Sequence, residues 1–237
     1  ERGRHVILYG ERGVGKTSIA QIIRYLIPTD LNRIRFCRIQ CFPTDTFQSL
    51  ARKIFKEIRF SADVGDGQTV SDVAQLYPDA IGPDDFVREI SVFNENDIPI
   101  FVIDEFNEIA DAETAILIAN TIKALSDSGS ISTLVIVGVA DNVQQLISSH
   151  ESIERCTEEI LMPRMDNAEL REVIEKRIQQ LGMTITGDAK WKIINLSKGL
   201  PQFVHGLGKQ AAFEAIKARR LAVDETDADA AIENLLA

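Results

Sequence analysis

Gly10-Glu11-Arg12-Gly13-Val14-Gly15-Lys16-Thr17 decides how the rest of the chain is read. Before it stands His5-Val6-Ile7-Leu8-Tyr9, a short apolar run rich in β-formers. After it, Ser18 to Ile27 carries apolar residues at helical spacing until Pro28 ends the pattern. The order is strand, glycine loop, helix, and the loop fits G-x-x-x-x-G-K-[ST]. Its glycines let successive backbone N–H groups curl around a phosphate chain without Cβ clashes, and the helix N-terminus adds partial positive charge. Gly10 through Ser18 is therefore the expected nucleotide-binding stretch. Within it Lys16 should reach β- and γ-phosphate oxygens, and the Thr17 hydroxyl should ligate Mg²⁺.

A second stretch downstream completes this chemistry. Ile98-Pro99-Ile100-Phe101-Val102-Ile103-Asp104-Glu105 is a continuous apolar run, the pattern of a strand covered on both faces of a parallel sheet. It ends in two carboxylates at the edge where such sheets bind ligands. This is the hhhhDE form of a Walker B motif. Asp104 is expected to hold Mg²⁺ through water, and Glu105 to orient and activate the water that attacks the γ-phosphate. The pair points to hydrolysis and not to binding alone.

Between and beyond these motifs, strands and helices alternate. Ile34 to Phe42 alternates apolar and polar residues as a half-covered strand, and Phe47, Leu50, Ala51, Ile54, Phe55 and Ile58 make a helical stripe. From Ser61 to Pro83 the pattern dissolves into Gly, Asp, Pro and Gln, which predicts a long loop. A helix from Thr114 to Leu125 leads to the buried strand Ile131–Ala140, which ends at Asp141-Asn142. A polar side chain there could meet the γ-phosphate or the attacking water, or could cap the next helix. Glu158 to Met162 is a last short strand. Past Pro163 the texture becomes helical, with a capping box at Asp166-Asn167-Ala168-Glu169, Pro201 opening a long helix and Thr226 capping the last one. The fold class is therefore α/β: a three-layer α/β/α sandwich with a parallel sheet over residues 1–163, then a small helical lid over 164–237.

The bulk properties agree. The chain has 237 residues, 45% hydrophobic, enough for a large buried core. No apolar run reaches the roughly 18–20 residues a membrane span needs. Cys37, Cys41 and Cys156, with no secretory signal, fit a reducing cytoplasm and read as small core side chains. A net charge of −10 argues against a broad nucleic-acid-binding face, while leaving room for a local basic patch. The chain begins without Met and almost inside its first strand, so residues upstream are expected.

The phosphate loop, the Asp-Glu Walker B, the polar residue ending the next strand, an arginine beyond it and an appended helical lid together resemble the AAA+ ATPases over nearly the whole chain. The similarity is to the branch shared by origin-recognition-type ATPases, transposition-type AAA regulators and STAND signalling ATPases. It implies Mg²⁺-dependent conversion of ATP to ADP and phosphate, driving an assembly switch through self-association or a protein partner. It also implies residue roles. Asp141 or Asn142 falls at the sensor-1 position. Arg155 lies where many members carry an arginine finger for the neighbouring subunit, or is a surface arginine paired with Glu154 or Glu158. Gly199-Leu200-Pro201-Gln202 departs from the sensor-2 pattern G-x-x-R by placing Gln where Arg is expected. Gly199-x-Pro201 instead resembles the GxP element of STAND proteins, where the proline packs on adenine. Closure over the γ-phosphate would then fall to Lys198, His205, Lys209 or a neighbouring chain. Two other readings stand beside this one: a nucleotide-gated adaptor with negligible turnover, and a DNA-associated regulator. The acidity and the lack of a winged helix after the lid oppose the latter.

Overall fold

The computed structural model describes residues 2–27, 33–64, 67–147 and 153–236. They fall into two compact units, one of residues 1–10 with 16–161, the other of residues 11–15 with 162–237.

The first unit is built on a five-stranded parallel sheet of order β2-β5-β6-β1-β7, where β1 is His5–Gly10, β2 Ile34–Gln40, β5 Ile98–Asp104, β6 Thr133–Val139 and β7 Thr157–Leu161. The expected parallel sheet is present. Leu134, Ile136 and Val137 of β6 and Phe101, Val102 and Ile103 of β5 are almost wholly buried, which is why these strands read as unbroken apolar runs. Helices α1 (Lys16–Leu26), α2 (Phe47–Glu57), α3 (Pro83–Ile90), α4 (Ala112–Asp127) and α5 (Val143–Leu146) accompany the sheet. Phe47, Phe55 and Phe86 of α2 and α3 stack or meet edge-on. With Ile90, Ile118, Ile122 and Leu125 they make one continuous core against the strands. Cys37, Cys41 and Cys156 are buried free thiols in the same core. Burial, with the carboxylates nearby, pushes the Cys37 and Cys41 thiols up to about 12, so they stay protonated and inert. Pro28, expected to stop α1, lies outside the described residues.

The long loop expected from Ser61 to Pro83 is instead an antiparallel hairpin. β3 (Arg59–Val64) pairs with β4 (Gly67–Asp72), Arg59 opposite Asp72 and Val64 opposite Gly67. A 3₁₀ turn, Val73–Leu76, follows and buries Val73 and Ala74. β3 alternates polar Arg59, Ser61 and Asp63 with apolar Phe60, Ala62 and Val64, but β4 carries a single large apolar residue, Val70, so the sequence pattern announces no second strand to pair with it.

The second unit is mainly helical, as expected, around α6 (Asn167–Gln180), α7 (Gly187–Ser197), α8 (Pro201–Lys217) and α9 (Glu225–Leu236). Leu170, Ile174, Ile178, Ile193, Val204, Leu207 and Ala211 form its core. Asp166 caps α6, accepting from the N–H groups of Ala168 and Glu169, while the Glu169 carboxylate accepts from Asp166 N–H. Two details depart from the all-helical expectation. Two-residue strands β8 (Thr184–Ile185) and β9 (Ala222–Val223) pair in parallel. The cap of α9 is Asp224, whose Oδ1 accepts from Thr226 N–H and Asp227 N–H; Thr226 sits inside the first turn. The helix begins at Glu225, so the cap position falls on Asp224.

Candidate functional site

In the first unit the ends of β1, β6 and β5 line up as consecutive neighbours, because β6 lies between the other two. Gly10 ends β1 opposite Val139, and Ile103 of β5 stands opposite Ile136. The Gly10 carbonyl accepts from the Lys16 ammonium at 2.9 Å and from Ala140 N–H at 3.4 Å. Lys16 opens α1 and is buried, so its charge is held at the helix N-terminus. Val14 is buried, Glu11 and Arg12 are exposed, and Ser18 is exposed on α1.

At the second position of α1, Thr17 faces the end of β5. Its hydroxyl oxygen lies 3.5 Å from Asp104 Oδ1 and 3.4 Å from Glu105 Oε1. Asp104 is almost fully buried and both its oxygens are engaged. Oδ1 accepts from Glu105 N–H at 2.9 Å, and Oδ2 accepts from Arg38 Nε at 3.1 Å and Nη2 at 2.5 Å. Arg38, on the neighbouring strand β2, was not singled out in the sequence; its signal was only a cation within an otherwise alternating strand. Glu105 has left-handed backbone angles, φ 56° and ψ 38°. A non-glycine residue adopts these at a cost, and such residues concentrate where a side chain must be aimed. The strand stops at Asp104 and the chain turns at Glu105, which presents the two carboxylates to the same hydroxyl. Thr17 and Asp104 offer hard oxygen donors that suit Mg²⁺ in company with phosphate oxygens. Among the described residues no group of three or more His, Cys, Asp or Glu could hold a metal without such help.

The remaining candidates of this unit lie on other segments. Asn142 caps α5, its side-chain oxygen accepting from Gln145 N–H at 3.1 Å, and Asp141 N–H donates to Gln145 Oε1. Both residues are exposed and follow directly on the Ala140–Gly10 contact. Arg155 lies two residues before β7. Its side chain is 70% exposed and 3.7 Å from Asp127, while Glu158, one of the two partners expected for it, pairs with Arg4. Because Thr157 stands opposite His5 at the start of β1, Arg155 is at the other end of the sheet from Gly10. Five residues of strand separate them, about 17 Å at the rise of a β-strand.

In the second unit the loop residues Glu11–Gly15 are laced to the helical segments. Gln202 N–H donates to the Gly13 carbonyl at 3.4 Å, one residue after Pro201, which is buried at the first position of α8. Gly13 has φ +88°, a backbone conformation that favours glycine. Gly199 is held by two constraints: φ +86°, and a Cβ would meet Arg164 Cβ at 2.8 Å. Arg164 ties these pieces together. Its guanidinium binds both carboxylate oxygens of Glu11, Nη2 to Oε2 at 2.6 Å, and donates from Nη1 to the Lys198 carbonyl at 3.1 Å. His205 and Lys209 instead line a groove with Ile174, Ile178 and Val204.

Comparison with known proteins bears on the fold and the family. No curated protein sequence matches the chain. Among solved structures it is similar in fold to the RuvB Holliday junction branch migration motor of Thermotoga maritima, with a TM-score of 0.57 at 16% identity over 98% of this chain and 61% of that one. It is likewise similar to Aeropyrum pernix ORC1, solved in complex with DNA, with a TM-score of 0.66 at 16% identity over 98% of this chain and 59% of that one. Aeropyrum pernix ORC2, solved as ADPNP-ADP complexes, gives 0.66 at 15% over 98% and 62%. The chain thus spans about three fifths of the length of these proteins. The profile of the family described as novel STAND NTPase 1 matches residues 1–205, which takes in the phosphate loop, Asp104-Glu105 and the start of α8. With its motifs set on that fold, the chain belongs to the novel STAND NTPase 1 family.

Proposed function

We propose that the chain binds ATP with Mg²⁺ and hydrolyses it to ADP and phosphate, using the cycle to switch its association with another copy or a protein partner. The observation that carries this reading is the convergence of Thr17, Asp104 and Glu105, with Glu105 held in a strained backbone conformation. In this scheme Lys16 and the N–H groups of Gly13 to Thr17 bind phosphate oxygens. Thr17 and Asp104 would hold Mg²⁺, which when bound neutralises phosphate charge. Glu105 accepts a proton from the attacking water as its oxygen bonds to the γ-phosphorus, and the bond to the bridging oxygen breaks to leave ADP. Pro201 sits beside adenine, and Asp141 orients the water or the γ-phosphate. Arg155 is too far from its own chain's loop to serve it, so its finger role is toward a neighbour. Nothing here favours DNA as the partner, given a net charge of −10. In the described residues no helix is long and apolar enough to cross a membrane, and three buried free thiols suit the reducing cytoplasm where we place the protein.

One observation supports a second reading, a gated adaptor that holds nucleotide with negligible turnover: Gln202 stands where a charge-sensing arginine is expected. Phosphate release measured over a wide range of protein concentration separates the two. Hydrolysis that Glu105→Gln lowers on the order of 10²-fold or more, with ADP binding retained, supports the ATPase. Specific activity rising with concentration, and lost in Arg155→Ala, supports a site completed between subunits. Nucleotide recovered from the denatured protein without turnover at any concentration would install the adaptor instead.

A further inference from the structure

The phosphate loop carries an acidic residue, Glu11, between its first two glycines. A carboxylate in this loop repels a bound polyphosphate electrostatically. Arg164 meets that charge directly. Arg164 grips both oxygens of Glu11, with Nε 3.0 Å from each and Nη2 2.6 Å from Oε2. The same guanidinium donates to the Lys198 carbonyl, at a residue held in the left-handed region with φ 50°. Next to it, Gly199 has no room for a Cβ because the Arg164 side chain and the Met165 carbonyl occupy that space, and Met165 N–H donates to the Gly199 carbonyl at 2.9 Å. Three segments distant in sequence, the phosphate loop, the stretch before α6 and the turn between α7 and α8, therefore converge on one side chain.

We propose that Arg164 is a positioning residue of the nucleotide site: it masks the charge of Glu11 and fixes the phosphate loop to the turn at Lys198-Gly199. This deepens the nucleotide-binding reading and rests on it for the affinity effects. The clamp itself is independent of any ligand. A fork of this kind at a half-exposed site is geometrically specific but modest in strength, so effects of about two- to fivefold on binding are expected.

The test uses the whole chain and two readouts. Hydrogen exchange of the amides of residues 11–15, followed without nucleotide, reports the clamp. Equilibrium dialysis with ADP and Mg²⁺ reports the mask. Arg164→Met should speed exchange across residues 11–15 and weaken ADP binding about two- to fivefold. Glu11→Gln should speed the same exchange and tighten ADP binding, because it removes the repulsive carboxylate and leaves the Arg164 charge uncancelled. Adding Glu11→Gln to Arg164→Met should restore the affinity but not the slow exchange. This opposite response distinguishes a charge mask from a general loss of structure. Unchanged exchange in both single variants would overturn the clamp, and a double variant that binds no better than Arg164→Met would overturn the mask. If the parent chain binds no ADP, the nucleotide reading fails and the mask with it, while the exchange experiment still decides the clamp.

Discussion

Asp104 divides its two oxygens between two tasks. Oδ1 faces Thr17 and the Glu105 N–H, the side where the proposed Mg²⁺ would be held, and Oδ2 is committed to Arg38. A buried carboxylate left without its cation is costly, because neither water nor another charge replaces the lost partner. Arg38 is a quarter exposed, which lowers the penalty below that of a fully buried pair. Arg38→Met is therefore expected to destabilise the protein by about 2 kcal/mol. Urea denaturation measures this, and a variant as stable as the parent would show that Asp104 needs no partner. The contrast in legibility is sharpest at this scale. Lys16, Thr17, Asp104 and Glu105 belong to two contiguous motifs and could be read directly. Arg38 lies 66 residues from the carboxylate it holds, and Arg164 lies 153 from Glu11. Each of these arginines is ordinary in its own neighbourhood, and only the folded arrangement of strands and turns gives it a partner.

Elements are joined by similar long-range bonds. α2 and α4 begin side by side, and a relay connects their first turns: Phe47 N–H donates to Thr114 Oγ1 at 2.8 Å, and Thr114 Oγ1 donates to Asp111 Oδ2 at 2.6 Å. Thr114 is fully buried, so water cannot replace it. Thr114→Val keeps the shape and removes both bonds, leaving a buried N–H without an acceptor. The expected loss is about 1–3 kcal/mol, read as a lower denaturation midpoint with the same cooperativity. The pattern of elements was legible where burial is strong. β5 and β6 announce themselves because both faces are covered, and α6 because its cap and apolar face agree. The β3–β4 hairpin was missed because β3 alternates over only six residues and β4 carries a single large apolar residue, Val70. The cap of α9 was displaced to Asp224 because Thr226 and Asp224 are both good capping residues two positions apart, and only the backbone decides between them.

For the molecule as a whole, pH acts through His5. It is fully buried at the start of β1, its Nδ1 accepts from Leu134 N–H at 3.0 Å, and its Nε2 finds no partner among the described residues. Burial lowers its pKa to about 4 from 6.5. The unfolded chain therefore takes up this proton first. The stability this group contributes is complete above about pH 6.5 and is lost as pH falls toward 4, to a total of roughly 3 kcal/mol. Denaturation curves across that range should fall more steeply for the parent than for His5→Asn, and equal slopes would remove His5 as the cause. A different consequence follows from the position of Arg155. The side chain proposed to serve a neighbour and the loop it would serve lie at opposite ends of one sheet. Two copies related by a two-fold axis would place like patch against like patch. A donor end meeting an acceptor end is instead a heterologous contact, and each copy added leaves one end of each kind open. On that reading, the rotation between successive copies alone sets whether the series closes into a ring or continues as a helical filament.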